Sequence, residues 1–330
     1  MISYRYLIKR IVHGVFVVTG AVTAIFMLRH ITPGSPVNTL LPPEASPELR
    51  EQMTAELGLD RPLFIQYVDY VTGVLTGDFG RSYIRGDPVA PLILERLPAT
   101  IELALAATVI ALIISIPLGV VSATNRDTSI DYSANLGSLL GISTPNFWLG
   151  LMLIIVVSVQ VDFFPTGGRG TGFVGAIQAL VFEQSFSGII TWLQHIILPA
   201  IALGTYFTAL ITRLTRSEML EELGSDYVQV CRAKGLPEAM VLYKHALKNS
   251  LLPVVTVVGL QVGYLIGGSI VVEVVFSWPG IGTLIIDALT ASDWMIIQGY
   301  LILVSISWVT VNFFVDITYT LLDPTVDLEG

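Results

Sequence analysis

Long apolar runs alternate with short polar stretches along the whole chain. Six runs stand out, at Leu7–Leu28, Thr100–Ser122, Ala134–Val161, Gln194–Ile211, Val254–Phe276 and Tyr300–Leu322. Each is near or above the roughly 18–20 apolar residues that cross a ~30 Å hydrocarbon core. Backbone polar groups must be paired inside such a core, and a helix pairs them within itself. The pattern predicts an all-α polytopic membrane protein with six transmembrane helices. Arg5, Lys9 and Arg10 followed by Val22-Thr23-Ala24 also resemble a cleavable signal. The apolar run Ile11–Leu28 exceeds the roughly 7–15 residues of a signal core, so it is read as a retained anchor.

Residues 31–98 form a long segment between the first two runs. Ser46-Pro47-Glu48 reads as a cap, a first-turn proline and a first-turn acid. That helix stops at Gly58. Asp60 with Pro62 starts a second helix reaching about Leu75, and Gly77-Asp78-Phe79-Gly80 is a turn. Asp87-Pro88 opens a third, with Val89, Leu92, Ile93 and Leu97 on one face. The segment is predicted to be a set of short helices packed at the outer mouth, an inert cap being the plainer alternative. Pro117, Pro145 and Pro199 lie in spans two, three and four and predict helices facing the bundle interior, where freed carbonyls are tolerated.

Cations orient the chain. With a cytoplasmic N-terminus the inner loops hold Arg5, Lys9, Arg10, Arg126, Arg213, Arg216, Arg232, Lys234, Lys244 and Lys248, and the short outer loops only Arg169. The positive-inside rule then places both termini in the cytoplasm and residues 31–98 outside. The region 212–250 is cytoplasmic, because burying its six cations at mid-bilayer would cost very roughly 15–20 kcal/mol. Its signals are nonetheless helical. The fourth span is predicted to run on to Gly224 as C′ residue. Ser225 caps a new helix with Asp226 in its first turn and Arg232 and Lys234 in its last, as the macrodipole prefers. Gly235 ends it, and Pro237-Glu238 opens another whose end carries Lys244, His245 and Lys248. Tyr227, Val230 and Cys231 form a stripe on a helix too short to stand alone in water. That stripe must be buried by anionic lipid or by another protein's groove.

Composition agrees with a membrane protein: 53% hydrophobic and 13% charged. The net charge of −9 is no nucleic-acid signal, since acids cluster in residues 31–98 and the tail. Cys231 is alone, so no intrachain disulfide forms. No glycine precedes any lysine, which excludes the G-x-x-x-x-G-K-[ST] phosphate loop and with it an ATPase role. His13, His30, His195 and His245 show no metal-ligand spacing. No internal repeat or linker appears, and the chain is treated as one domain over 1–330. Glu273 is an intramembrane acid near the outer end of the fifth span, either at an outer gate or as a solvated interfacial acid. Asn146, Gln261 and Ser269 are candidates for a translocation path. An ion-driven secondary transporter would want acids deep in the spans, which are nearly free of them away from their ends. A membrane enzyme would want paired carboxylates or a Ser/His constellation at one depth, and neither appears.

The run "YVQVCRAKGL…HALKNSLLPVVTVVG" resembles the cytoplasmic loop of ABC-importer permeases, in the form found in the dipeptide/oligopeptide/nickel permease family. "YLIKRI…HITPGSPV", "ELGLDRPLFIQYVDYV…GDFGRSY", "ERLPATIELALAA", "STPNFWLG", "VVEVVFSWPGIG" and the tail "LLDPTVD" are similar too. The chain departs from the usual pattern at Cys231, Lys248 and Thr325. The resemblance implies a coupling helix that docks on a separate ATPase, with Asp226, Tyr227, Cys231, Arg232, Ala233, Lys234, Gly235, Leu236, His245 and Asn249 as the docking set. It implies an outer gate at Glu273, Trp278, Pro279 and Gly280. It also implies as partners a second homologous permease, two ABC ATPase subunits that bind the ATP and Mg, and an extracytoplasmic substrate-binding protein. The chain itself is expected to need no cofactor or metal and to catalyse no reaction. The implied cargo is a di- or oligopeptide, with oligosaccharide or nickel as alternatives.

Overall fold

The structure, a computed structural model, describes residues 4–32, 36–161 and 163–322. Residues 33–35 of the "HITPGSPV" stretch and the tail from Asp323, with Thr325, lie outside the described residues. Helix α1 (Tyr4–Ile31) covers the first apolar run. Short helices α2 (Pro36–Leu40), α3 (Pro47–Glu56) and α4 (Leu63–Thr76) follow. The Ser46 hydroxyl accepts the Leu49 N–H at 3.3 Å, as the cap pattern predicts. That cap and its own first-turn N–H hold Glu48 below the usual carboxylate range, the backbone bond contributing most. The third predicted short helix does not exist separately. It begins at Val89 but runs through Pro98 and Pro117 as α5 (Val89–Thr124). Val89 and Ile93 still bury the predicted face, now against Ile281, Ile285 and Ile296.

The third predicted span is two helices, α6 (Ser129–Ser143) and α7 (Asn146–Leu153) with a π-helical continuation Ile154–Ser158, bent by 101°. Pro145 explains the break. It lacks an N–H and forces Thr144 into extended backbone (φ −84°, ψ 121°). Pro117, Pro199 and Pro253 remain inside continuous helices. Beyond α7 the chain forms an unpredicted apolar helix, α8 (Gly172–Phe182), then the long α9 (Ser187–Leu223). Next come α10 (Asp226–Ala233), α11 (Glu238–Met240) and α12 (Leu247–Gly268). The fifth predicted span also ends early. Ser269 interrupts it, and α13 (Ile270–Val275) is a separate turn of helix before α14 (Ile281–Thr290) and α15 (Trp294–Leu322). Tyr300 donates to the Gly267 carbonyl at 2.9 Å, satisfying a group near that break.

Five of these helices are long and apolar enough to cross a membrane, or six if the bent pair counts as one. The centre of the bundle is α5 against α9. Ala104, Ala107 and Ala111 face Ala200, Leu203 and Phe207, all buried. Gly204 approaches so closely that a Cβ would stand 2.8 Å from the Ala107 carbonyl. Small residues at a membrane helix contact allow this approach, and dispersion between the backbones then holds the pair.

Candidate functional site

The 212–250 loop is built on the end of α9. Gly224 follows it with ordinary right-handed backbone (φ −84°), so the predicted left-handed stop is not used there. Ser225 occupies the cap position, but its hydroxyl donates back to the Glu222 carbonyl at 2.5 Å rather than capping α10. Gly235 does end the helix, at φ +74° with open space where a Cβ would be. Leu236 N–H donates to Cys231 and Gly235 N–H to Arg232, closing the turn. Arg232 then clasps Glu238 through two bonds, at 2.7 and 3.2 Å. This bond lowers the Glu238 carboxyl and raises the Arg232 guanidinium.

After Pro237 the chain does not form a short helix ending at Lys248. It continues through a π-helical stretch, Val241–Ala246, into α12, a candidate membrane span. Lys244, His245 and Lys248 therefore sit at the start of a long helix. The stripe predicted to need burial by a partner is largely left uncovered by the chain itself. Val228 is fully buried and anchors α10, while Val230 is 51% exposed and Cys231 half-buried. Asp226, Ala233 and Lys234 are exposed, and Leu236 and His245 half-buried.

Tyr227 links this short helix to two long ones. Its hydroxyl donates to the Glu222 carboxylate of α9 and accepts from Asn249 Nδ2 of α12 at 3.0 Å. It also lies 3.4 Å from the His245 carbonyl. Burial, then the hydrogen bond to Glu222 and its charge, pushes its phenol above the usual range.

At the opposite end Glu273 is not a solvated interfacial acid. It is fully buried. Helix α13 reverses at Ser277 (φ +50°), and the turn through Trp278, Pro279 and Gly280 folds back over the carboxylate. One oxygen accepts the Thr100 and Ser269 hydroxyls at 2.7 and 2.8 Å. The other accepts the Gly282 and Thr283 N–H groups at 2.7 and 3.3 Å. These last donors are the free amides at the start of α14, where an anion is favoured. Ile281 N–H donates to Thr100, and Trp278 Nε1 to the Ala99 carbonyl at 2.8 Å. Gly280 and Gly282 are needed there. A Cβ would lie 2.4 and 2.7 Å from the Glu273 carboxylate oxygen.

Asn146 and Gln261 come together. With Thr144, Tyr206, Phe207 and Tyr264 they line a cleft of about 500 Å³. Ser269 does not join them; it is buried and spent on Glu273.

Three acids on the candidate membrane helices, two of them at or beyond the ends of the apolar runs, are each matched by an arginine. Asp131 of α6 accepts Arg216 of α9 through two bonds at 2.6 and 2.7 Å, with Ser122 and Asn135 on the same carboxylate. Glu102 of α5 accepts Arg169 and the Trp192 indole N–H. Asp316 of α15 pairs with Arg10 of α1. The only local hint is the Asp131/Asn135 spacing; the pairings themselves join distant positions. Among the described residues no group of three or more His, Cys, Asp or Glu could hold a metal ion.

Residues 115–328 match the family described as "Binding-protein-dependent transport system inner membrane component", and residues 3–104 its N-terminal counterpart. The oligopeptide transport system permease AppB of Bacillus subtilis is 40% identical over 98% of this chain and 99% of its own length. The dipeptide permease DppB of Escherichia coli K12 is 40% identical over 98% of both chains. The di/tripeptide permease DppB of Pseudomonas aeruginosa is 41% identical over 93% of this chain and 94% of its own. Among solved structures, the inward-facing MetNI methionine ABC transporter aligns with TM-score 0.52 over 70% of this chain and 96% of that one, at 17% identity, a likeness of fold alone. The chain is a multi-pass membrane protein that belongs to the ABC-importer permease family, the inner-membrane components of binding-protein-dependent transport systems.

Proposed function

We propose that this chain is one half of the membrane pathway of an ATP-driven peptide importer, with α10 as the point where a separate ATPase pushes. The carrying observation is mechanical. An eight-residue helix shows Val230, Ala233 and Lys234 to the outside while Tyr227 fastens it to both α9 and α12. A groove on another protein can bury that face, and a displacement there is passed to two membrane-crossing helices together.

In this reading 1–330 is one domain with six crossings and both termini in the cytoplasm. A second homologous permease completes the channel, and two ATPase subunits hold the ATP and Mg. A substrate-binding protein delivers cargo outside, and the chain catalyses no reaction itself. ATP-driven closure of the ATPase pair moves α10 and exchanges inward- and outward-facing states. The Glu273 cluster fixes the outer turn to α5 and serves as the outer gate, and the Asn146–Gln261 cleft lines the path. Peptides are the favoured cargo because the relatives are named for dipeptides and oligopeptides; oligosaccharide and nickel are the alternatives.

The test is uptake of labelled di- and tripeptides by cells carrying the chain with its partners, together with ATPase co-purification. Lys234→Glu is expected to weaken co-purification and uptake in parallel. Uptake that persists with no ATPase present would instead favour an ion-driven carrier.

A further inference from the structure

Helix α4 carries more apolar surface than the protein covers. Tyr67, Tyr70, Val71 and Val74 pack inward on Val18, Val22, Ile25 and Phe26 of α1 and Leu301 and Ile302 of α15. The neighbouring face is left open, with Phe64 75%, Val68 41% and Leu75 80% exposed. At about 100° per residue these three fall within roughly 40° of one another, adjoining the packed face. Asp69, Gln66 and Thr72 occupy the remaining arc, together with the exposed Ile65. The helix therefore has three sides: one on protein, one bare and apolar, one mainly polar.

The two partner helices give its depth independently. Val22 is seven residues inside Arg29, the first charge at the outer end of α1, which is about 10 Å at 1.5 Å per residue. Ile302 is nine residues inside Asp293, at the outer end of α15, or about 13 Å. A helix packed on these residues sits about 10–13 Å inside the outer charges, at and just below the roughly 5–10 Å to which interfacial helices bury their apolar face. Asp69 is the only charge on α4, and on the polar side it pairs with Arg61, which precedes the helix, at 3.1 Å.

We infer that α4 is an interfacial helix of the outer leaflet, whose Phe64–Val68–Leu75 face takes lipid acyl chains as its partner. It is thus a membrane-embedded part of a segment whose pattern suggested a cap above the membrane.

The test places Phe64→Cys, Val68→Cys, Leu75→Cys and Asp69→Cys one at a time in a Cys231→Ser background. Each is labelled with an environment-sensitive fluorophore in the full-length protein in phosphatidylcholine nanodiscs, with and without co-expressed transport partners. Lipid carrying a spin label high on its acyl chain should quench positions 64, 68 and 75 about threefold more than position 69, and aqueous iodide should show the reverse order. Phe64→Trp, read against the parent's five tryptophans with brominated lipid, repeats the measurement without a bulky label. Iodide reaching 64, 68 and 75 as readily as 69 overturns the inference. So does shielding of all three from both quenchers when the partners are present, because a protein then covers the face.

Discussion

The Thr100 hydroxyl donates to the Glu273 carboxylate at 2.7 Å, across 173 positions of sequence. The bond joins α5 to the reversal that follows α13, and the start of α14 closes over the same carboxylate. Glu273→Ala leaves several buried donors without an acceptor, each at a cost of about 1–3 kcal/mol. The expected result is a lower unfolding temperature in lipid nanodiscs, with Glu273→Gln intermediate. An alanine variant as stable as the parent would refute a structural role for the cluster.

Gly280→Ala should be nearly as harmful. Its Cβ would stand 2.4 Å from both a Glu273 oxygen and the Thr100 hydroxyl, and both of those side chains are fully buried. Overpacking of this kind typically costs about 1–3 kcal/mol. Gly20→Ala, inside α1, meets nothing within 4 Å and should leave stability unchanged or raise it by up to about 1 kcal/mol. Thermal unfolding of the two variants side by side checks the contrast.

Gly235 tests backbone rather than packing. There is room for a Cβ, but φ +74° costs a non-glycine residue about 1 kcal/mol. Gly235→Ala should loosen the end of α10, raise amide exchange over 226–236 and lower peptide uptake. Gly235→Asn should be milder, since asparagine tolerates this conformation better.

Tyr227→Phe keeps the ring and removes the hydroxyl that reaches Glu222 and Asn249. Stability should fall by only about 1 kcal/mol. Uptake per ATP hydrolysed should fall further than ATPase co-purification does. Equal losses in both would mean that the tyrosine acts in docking rather than in transmission.

Asp131, which is buried, and Arg216, which is partly buried, form a pair with two bonds. Removing one partner leaves a buried charge, at about 3–5 kcal/mol, while replacing both with apolar residues can be nearly neutral. Asp131→Leu should therefore be rescued in part by Arg216→Met, as a double-mutant cycle on unfolding would read.

Much of this architecture is legible in the chain because run length and capping are local signals. Five of the six apolar runs fall on long helices, and Ser46, Pro62 and Gly235 mark ends that the fold uses. The bend at Pro145 is not legible, because Pro117, Pro199 and Pro253 sit in similar surroundings without breaking their helices. Counting along a straight helix puts Glu273 near the outer end of its span, but the cover over it comes from a later reversal. Helix α8 escapes notice because it is apolar yet far too short to cross. The Asp131–Arg216 and Glu102–Arg169 pairs join positions 85 and 67 apart, and no local signal announces them.

The cleft between α6, α7, α9 and α12 offers amides, hydroxyls and rings, and none of its lining residues bears a formal charge. Cargo passing along it would find no fixed ion to be attracted or repelled by. If the cleft lines the path as proposed, this half of it adds no preference among acidic, basic and neutral peptides of one length, and any such preference is exercised elsewhere, by the other half or by whatever hands them over.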